Sequence, residues 1–257
     1  MGPAGIGDRV EGVHAVAAAL SAGRVTRITV ERSRAGRGPV ADLLARHIGV
    51  PVDLVDDVRP LADTSAPQGL VADCVPIPLV PVADLAGPGA ALIAVDHVED
   101  AHNLGAIARS ALAAGMTGMV VPDRRTAPLA GAAFKAAAGA FEHLPVARVS
   151  SVPDALRRLA GLAVWSVGLD AGGDRSLFGL ELLTEPVVIV VGAETGLHRL
   201  VRDRVDVLAS IPMAAHAESL NASVAAALAC FEVQRARTQG SGRGFLRDPA
   251  QGPHHPS

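Results

Sequence analysis

The chain has 257 residues, 49% of them hydrophobic and 19% charged, with a formal net charge of −3. That length supports a sizeable core in one large domain or two smaller ones, and no apolar run reaches the roughly 18 residues a membrane helix needs. The slight negative charge argues against a large non-specific nucleic-acid binder, and aromatics at 2% leave too little for an extended base-stacking platform.

The N-terminal "MGPAGIGDRVEGVHAV" lacks a basic region followed by an apolar core, so no signal peptide is read and a cytoplasmic location is expected. "GVHAVAAALSAG" has helical spacing, with Gly23 placed to end the helix. "VTRITV" alternates like a strand, "PVADLLARHIG" is helical and "VPVDLV" strand-like, which predicts a small α/β domain over residues 1–77. Prolines and glycines make residues 78–89 an expected linker.

Beyond the linker the alternation strengthens, and residues 90–238 read as a second α/β domain. "ALIAVDHV", "GMVVP", "PVARV", "AVWSVGL", "PVVIVVG" and "DVLASIP" are strands, and "PVVIVVG" is apolar throughout, as a central parallel strand must be. "NLGAIARSALAAG", "LAGAAFKAAAG" and "VPDALRRLAG" are helices, and a last helix spans 219–237 with Leu220, Val224, Leu228 and Phe231 as its core stripe. Residues 239–257, rich in Gly and Pro, read as a disordered tail. Cys74 and Cys230, the only cysteines, are expected to be buried thiols.

Parallel sheets bind ligands at the carboxyl ends of their strands, so polar residues following apolar strands carry the search for a site. In "VDHVEDAHNLGAIARSA", Asn103 is either a helix cap or a ligand group. Arg109 points away from the buried stripe Leu104, Ile107 and Ala111, toward either solvent or a substrate. In "VVIVVGAETGLHRL", Glu194 sits in a turn where Gly192 and Gly196 permit close backbone approach. A carboxylate there is costly to bury unpaired, which favours a surface or active-site placement over a core one. In "IPMAAHAESLNASVAAAL", Ser219 could cap the helix and Asn221 face solvent, or both could face one pocket with Glu194. The histidines show no metal-ligand spacing, so no metal is expected. "RVTRITVERSRAGR" holds five arginines and one glutamate over 24–37, either a solvated surface or an RNA backbone track through Arg32, Arg34 and Arg37.

Together "NLGAIAR", "VVIVVGAETG" and "IPMAAHAESLNASVA" resemble the three ordered motifs of the SpoU/TrmH family of RNA ribose 2′-O-methyltransferases, over residues 90–237. "EGVHAVAAAL" is similar to the start of the RlmB branch, which methylates a guanosine of 23S ribosomal RNA. The chain departs from the family pattern at Ala101, where proline is usual, in a second motif one residue short after Glu194, and in "APQG", where histidine usually precedes the glutamine. The resemblance implies a parallel-sheet α/β methyltransferase domain with a C-terminal trefoil knot, preceded by a small α/β RNA-binding domain, in a homodimer with its active sites near the subunit interface. It also implies S-adenosylmethionine as cofactor, held by Gly192, Ile211 and Leu220, with Arg109 as catalytic arginine and Asn103, Glu194, Ser219 and Asn221 orienting the ribose. The RNA expected is 23S rRNA; the alternatives are a tRNA ribose, an rRNA site of antibiotic resistance, or a non-catalytic RNA-binding or ribosome-assembly factor on the same fold.

Overall fold

The computed structural model describes residues 5–47, 49–193, 195–216 and 219–240; the predicted tail from 241 lies outside them. The N-terminal part builds β1 (Arg9–Glu11), α1 (Val13–Ser21), β2 (Val25–Glu31), α2 (Arg32–Ala35), α3 (Gly38–Arg46), β3 (Val52–Val55) and β4 (Leu70–Cys74). Its sheet runs in the order β1-β4-β2-β3, antiparallel except for the β2–β3 pair. Ile28, Val30, Leu70 and Ala72 alternate inward to meet Val16 and Ala19 of α1, which is what the period of two in "VTRITV" requires.

The larger part comprises β5 (Ala91–Asp96), α4 (Ala101–Ala113), β6 (Gly118–Pro122), α5 (Gly131–Ala137), β7 (Val146–Val149), α6 (Val152–Ala160), β8 (Trp165–Leu169), β9 (Arg175–Ser176), β10 (Val187–Gly192), α7 (Arg199–Arg202), β11 (Val207–Ser210) and α8 (Ala222–Gly240). Its sheet is parallel throughout, in the order β7-β6-β5-β10-β8-β11-β9. β10, flanked by β5 and β8, is apolar at every position because both of its faces are covered. Ala91, Ile93 and Val95 of β5 face the core shared with α4 and α8, while Leu92 and Ala94 face the core beneath α6.

The segment expected as a linker is packed. Val82–Leu85 forms a 3-10 turn with Val82 and Leu85 buried beside α6, and Val80 N–H donates to Val146 O of β7 at 3.0 Å. One apolar cluster runs from α1 and β4 through Phe134 and Phe141 into the α4 face, so the two sheets share a core. Arg24 crosses the same junction, with Nε and Nη2 donating to the two carboxylate oxygens of Glu142 at 2.6 and 2.7 Å.

The last helix departs from its expected limits and face. It begins at Ala222, and its buried side is Ala222, Ala226, Ala229, Cys230 and Val233. Of the expected core stripe, Leu220 precedes the helix, and Val224, Leu228 and Phe231 are 47%, 38% and 48% exposed. Small residues face inward because α8 lies close against β10 and α4. At its far end Arg237 donates to the carbonyls of Leu183, Gly89, Ala90 and Glu185 at 2.6–3.1 Å, and burial draws its pKa below the usual guanidinium value. No helix among the described residues is long and apolar enough to cross a membrane.

Candidate active site

A pocket of about 330 Å³ opens at the carboxyl ends of β8, β10 and β11. Its apolar walls include Leu169, Val191, Ile211, Met213 and Leu220. Gly192, Thr195 and Ser219 supply backbone and hydroxyl groups, and Asp170 with Arg202 supplies charge. Arg202 Nη1 donates to Asp170 Oδ2 at 2.8 Å, and Asp170 Oδ1 accepts from Gly172 N–H at 2.8 Å.

The bend after β10 shapes the pocket through backbone alone. Gly196 N–H donates to Ala193 O at 2.8 Å, and Gly196 holds φ +87°. A Cβ on Gly192 would lie 2.3 Å from Gly196 O. Gly192 is therefore required by a fold-back that a side chain cannot enter, and Gly196 by its left-handed backbone. Glu194, between them, lies outside the described residues.

The expected cofactor residues Gly192, Ile211 and Leu220 meet in this one pocket, and Ser219 joins them. Ser219 does not cap α8. Asn221 does, its Oδ1 accepting from Ser223 N–H at 2.9 Å and Ser223 Oγ at 2.6 Å. Its remaining polar group is the Nδ2 donor.

Nor does Asn103 cap α4: that role falls to Asp100, whose Oδ1 accepts from the N–H groups of His102 and Asn103 at 2.6 and 3.2 Å. The helix starts three residues earlier than an Asn103 cap would place it, because aspartate caps as well as asparagine. Asn103 is half-buried, and among the described residues its side chain carries no hydrogen bond. Arg109 is exposed on α4, outside the pocket lining and without an ion pair among the described residues, while Leu104, Ile107 and Ala111 are fully buried as expected.

Arg32, Arg34 and Arg37 are exposed around α2. Arg32 is engaged by Asp56 at 3.4 Å and by Leu54 O at 3.2 Å; Arg34 and Arg37 carry no ion pair among the described residues. Asp170, Arg202 and Met213 escaped sequence reasoning, since only the strand order puts the end of β8 beside the end of β10. Among the described residues no group of three or more His, Cys, Asp or Glu could hold a metal ion.

Fold and pocket together define a parallel α/β protein that takes a small ligand where its central strands end. Residues 90–231 match the model of the SpoU rRNA Methylase family, and residues 9–79 match that of the RNA 2'-O ribose methyltransferase substrate binding domain. The chain belongs to the SpoU rRNA methylase family.

A tRNA/rRNA methyltransferase of Mycobacterium ulcerans, itself uncharacterized, is 46% identical over 151 residues, covering 58% of this chain and 48% of the relative. A namesake in Mycolicibacterium smegmatis is 47% identical over 149 residues, covering 58% and 47%. The chain spans about half the length of the curated relatives it matches. Among solved structures, the SpoU methyltransferase AviRb from Streptomyces viridochromogenes superposes with TM-score 0.74 at 29% identity, over 91% of this chain and 90% of that one. The same protein in complex with the cofactor AdoMet gives TM-score 0.75 at 28% identity, over 90% and 91%. The AdoMet-bound rRNA methyltransferase from Sinorhizobium meliloti gives 0.71 at 26% identity, over 88% and 86%.

Proposed function

We propose that this protein transfers a methyl group from S-adenosylmethionine to a ribose 2′-hydroxyl of RNA, with a guanosine of 23S rRNA as the target. The observation that carries the reading is the meeting of Gly192, from the bend after β10, with Ile211, Ser219 and Leu220, from the segment between β11 and α8, in one pocket. The pocket suits the cofactor chemically: apolar walls for an adenine, exposed backbone at the glycine bend for its polar edge, and the Asp170 carboxylate for a hydroxyl or ammonium group. S-adenosylmethionine bound there supplies an electrophilic methyl group on a sulfonium.

What the chain must add is orientation and help in deprotonating a poor nucleophile. Arg109, exposed and unpaired among the described residues, binds a phosphate next to the reacting ribose and stabilises developing alkoxide charge. Asn103, Glu194, Ser219 and Asn221 orient the ribose by hydrogen bonds, Asn221 through Nδ2 because Oδ1 holds Ser223. Arg32, Arg34 and Arg37 extend the RNA contact onto a substrate-binding domain over 1–77, joined through 78–89 to a catalytic domain over 90–238.

We also assign a homodimer. The stripe of Val224, Leu228 and Phe231 is a continuous exposed apolar face, better explained by a second subunit than by water. A C-terminal trefoil knot and a cytoplasmic location complete the reading. Ribose-methylation mapping of rRNA and tRNA from cells with and without the protein tests it. Loss of one 23S rRNA guanosine mark is the expected result; loss of a tRNA mark redirects the target; no lost mark, with no cofactor binding by calorimetry, overturns the enzyme.

A further inference from the structure

Beside the pocket, at the end of β5, the structure holds a polar assembly that the methyl-transfer reading leaves unused. Asp96 is 3% exposed, and both of its oxygens are engaged. Oδ1 meets His97 Nδ1 at 2.7 Å, and Oδ2 accepts from His198 N–H at 2.7 Å. One buried carboxylate thus ties the loop after β5 to the segment after β10. The two rings stack, their centroids 5.1 Å apart and their planes 20° from parallel. His97 has φ 58°, a left-handed conformation that a residue with a Cβ adopts at some cost in strain.

A carboxylate only accepts hydrogen bonds, so the His97 proton sits on Nδ1. In the neutral ring Nε2 is then an acceptor, and Arg125 Nη1 donates to it at 3.1 Å. Arg125 and His198 are exposed, and the His97 side chain is 30% exposed. The assembly therefore presents a stacked pair of flat rings and a guanidinium to solvent, fixed from below by a buried acid. Asp96 pairs in register with Gly192, which places it one strand spacing, about 4.8 Å, from the pocket floor.

We propose that His97, His198 and Arg125 form a second RNA subsite, which takes the base and phosphate of a nucleotide beside the one being methylated. The chemistry selects that ligand. A nucleobase stacks on a ring face regardless of its identity, and a guanidinium meets a phosphate in two-point fashion. The exposed Trp165, Phe178 and Phe231 lie on other elements, at the start of β8, after β9 and on α8, so imidazoles are the flat rings at this edge. The strained conformation of His97 is retained because it aims the ring. This inference rests on the RNA-methyltransferase reading.

The test uses the full chain, S-adenosylmethionine carrying a labelled methyl group, and total RNA from cells lacking the protein. His198→Ala is expected to raise KM for RNA about tenfold. Arg125→Gln is expected to weaken RNA binding and to lower its salt dependence by about one counterion. In both, the loss falls on KM rather than kcat, and cofactor affinity by calorimetry holds. His97→Gly relieves the left-handed backbone but leaves the buried Asp96 Oδ1 without its partner, so its readout is KM for RNA, which should rise. A fall in midpoint with unchanged KM makes His97 merely structural and overturns its role. Unchanged KM in both His198→Ala and Arg125→Gln overturns the subsite. If wild-type protein methylates no RNA, the enzymatic reading fails, and filter binding of the same RNA decides the subsite: equal retention by wild type and variants overturns it, weaker retention by the variants supports it.

Discussion

Arg24 and Glu142 form a two-point ion pair between the N-terminal sheet and the turn after α5, with side chains 10% and 3% exposed. Arg24 Nη1 also donates to Gly7 O at 2.5 Å and Val75 O at 3.0 Å, so its charge is well satisfied. Removing one partner leaves the other buried and unpaired, which costs about 3–5 kcal/mol. Glu142→Ala should lower stability by that order in urea titrations and speed proteolytic cleavage between the two sheets. A double replacement of Arg24 and Glu142 by apolar residues should recover much of the loss.

Asn221→Ala removes the cap of α8, at about 1 kcal/mol, which for a chain of this size lowers Tm by about 2–4 °C. Asn221→Asp keeps the capping oxygen and should keep Tm. If Nδ2 orients the ribose, both variants lose methyl transfer, and only the alanine variant loses stability. Full turnover in the aspartate variant would remove Asn221 from the site.

Gly192→Ala forces a Cβ to within 2.3 Å of Gly196 O. The neighbour is backbone, so the bend itself must move. Calorimetry should show S-adenosylmethionine binding lost or greatly weakened, and because the strain is confined to the bend, circular dichroism should keep its α/β signature.

Leu228→Glu with Phe231→Glu places two charges on the exposed stripe of α8 and leaves its buried alanine face intact. Sedimentation should then report monomers where the unmodified protein gives dimers, with secondary structure unchanged. If Arg109 acts across that interface, activity falls with dissociation.

Cys74 and Cys230 are both buried and free, and burial pushes their thiols up to about 11 and about 12. Both therefore stay protonated at pH 8, and iodoacetamide should label neither until guanidinium unfolds the chain. Because the folded values lie above the ordinary 9.0, this contribution to stability is whole below pH 9 and lost as pH rises through 11. Equilibrium unfolding across that window checks the sign.

Much of the larger domain is legible as alternating apolar strands and helices, because a covered parallel strand announces itself. The short strands β1 and β4 are not, since three- and five-residue segments acquire meaning only by pairing across 64 positions, as Arg9 does with Asp73. On α8 the sequence points to the wrong face: bulk marks Val224, Leu228 and Phe231, whereas close packing selects alanines. Val224, Leu228 and Phe231, turned outward, are what the proposed dimer interface would cover. In the pocket, Gly192, Ile211, Ser219 and Leu220 could be found from motifs. Asp170 and the pairing of Asp96 with His198 could not, because no local pattern encodes a contact between positions 102 apart.

Arg237 fastens the far end of α8 to carbonyls at the amino edge of the sheet, whereas Asn221 at the pocket end bonds, among the described residues, only within the helix's own first turn. Over the roughly 28 Å between them, the pocket end is seated by the close fit of Ala222, Ala226 and Ala229. Enlarging one of those alanines should therefore tilt Ser219 and Leu220 away from the cavity even though no polar contact is lost.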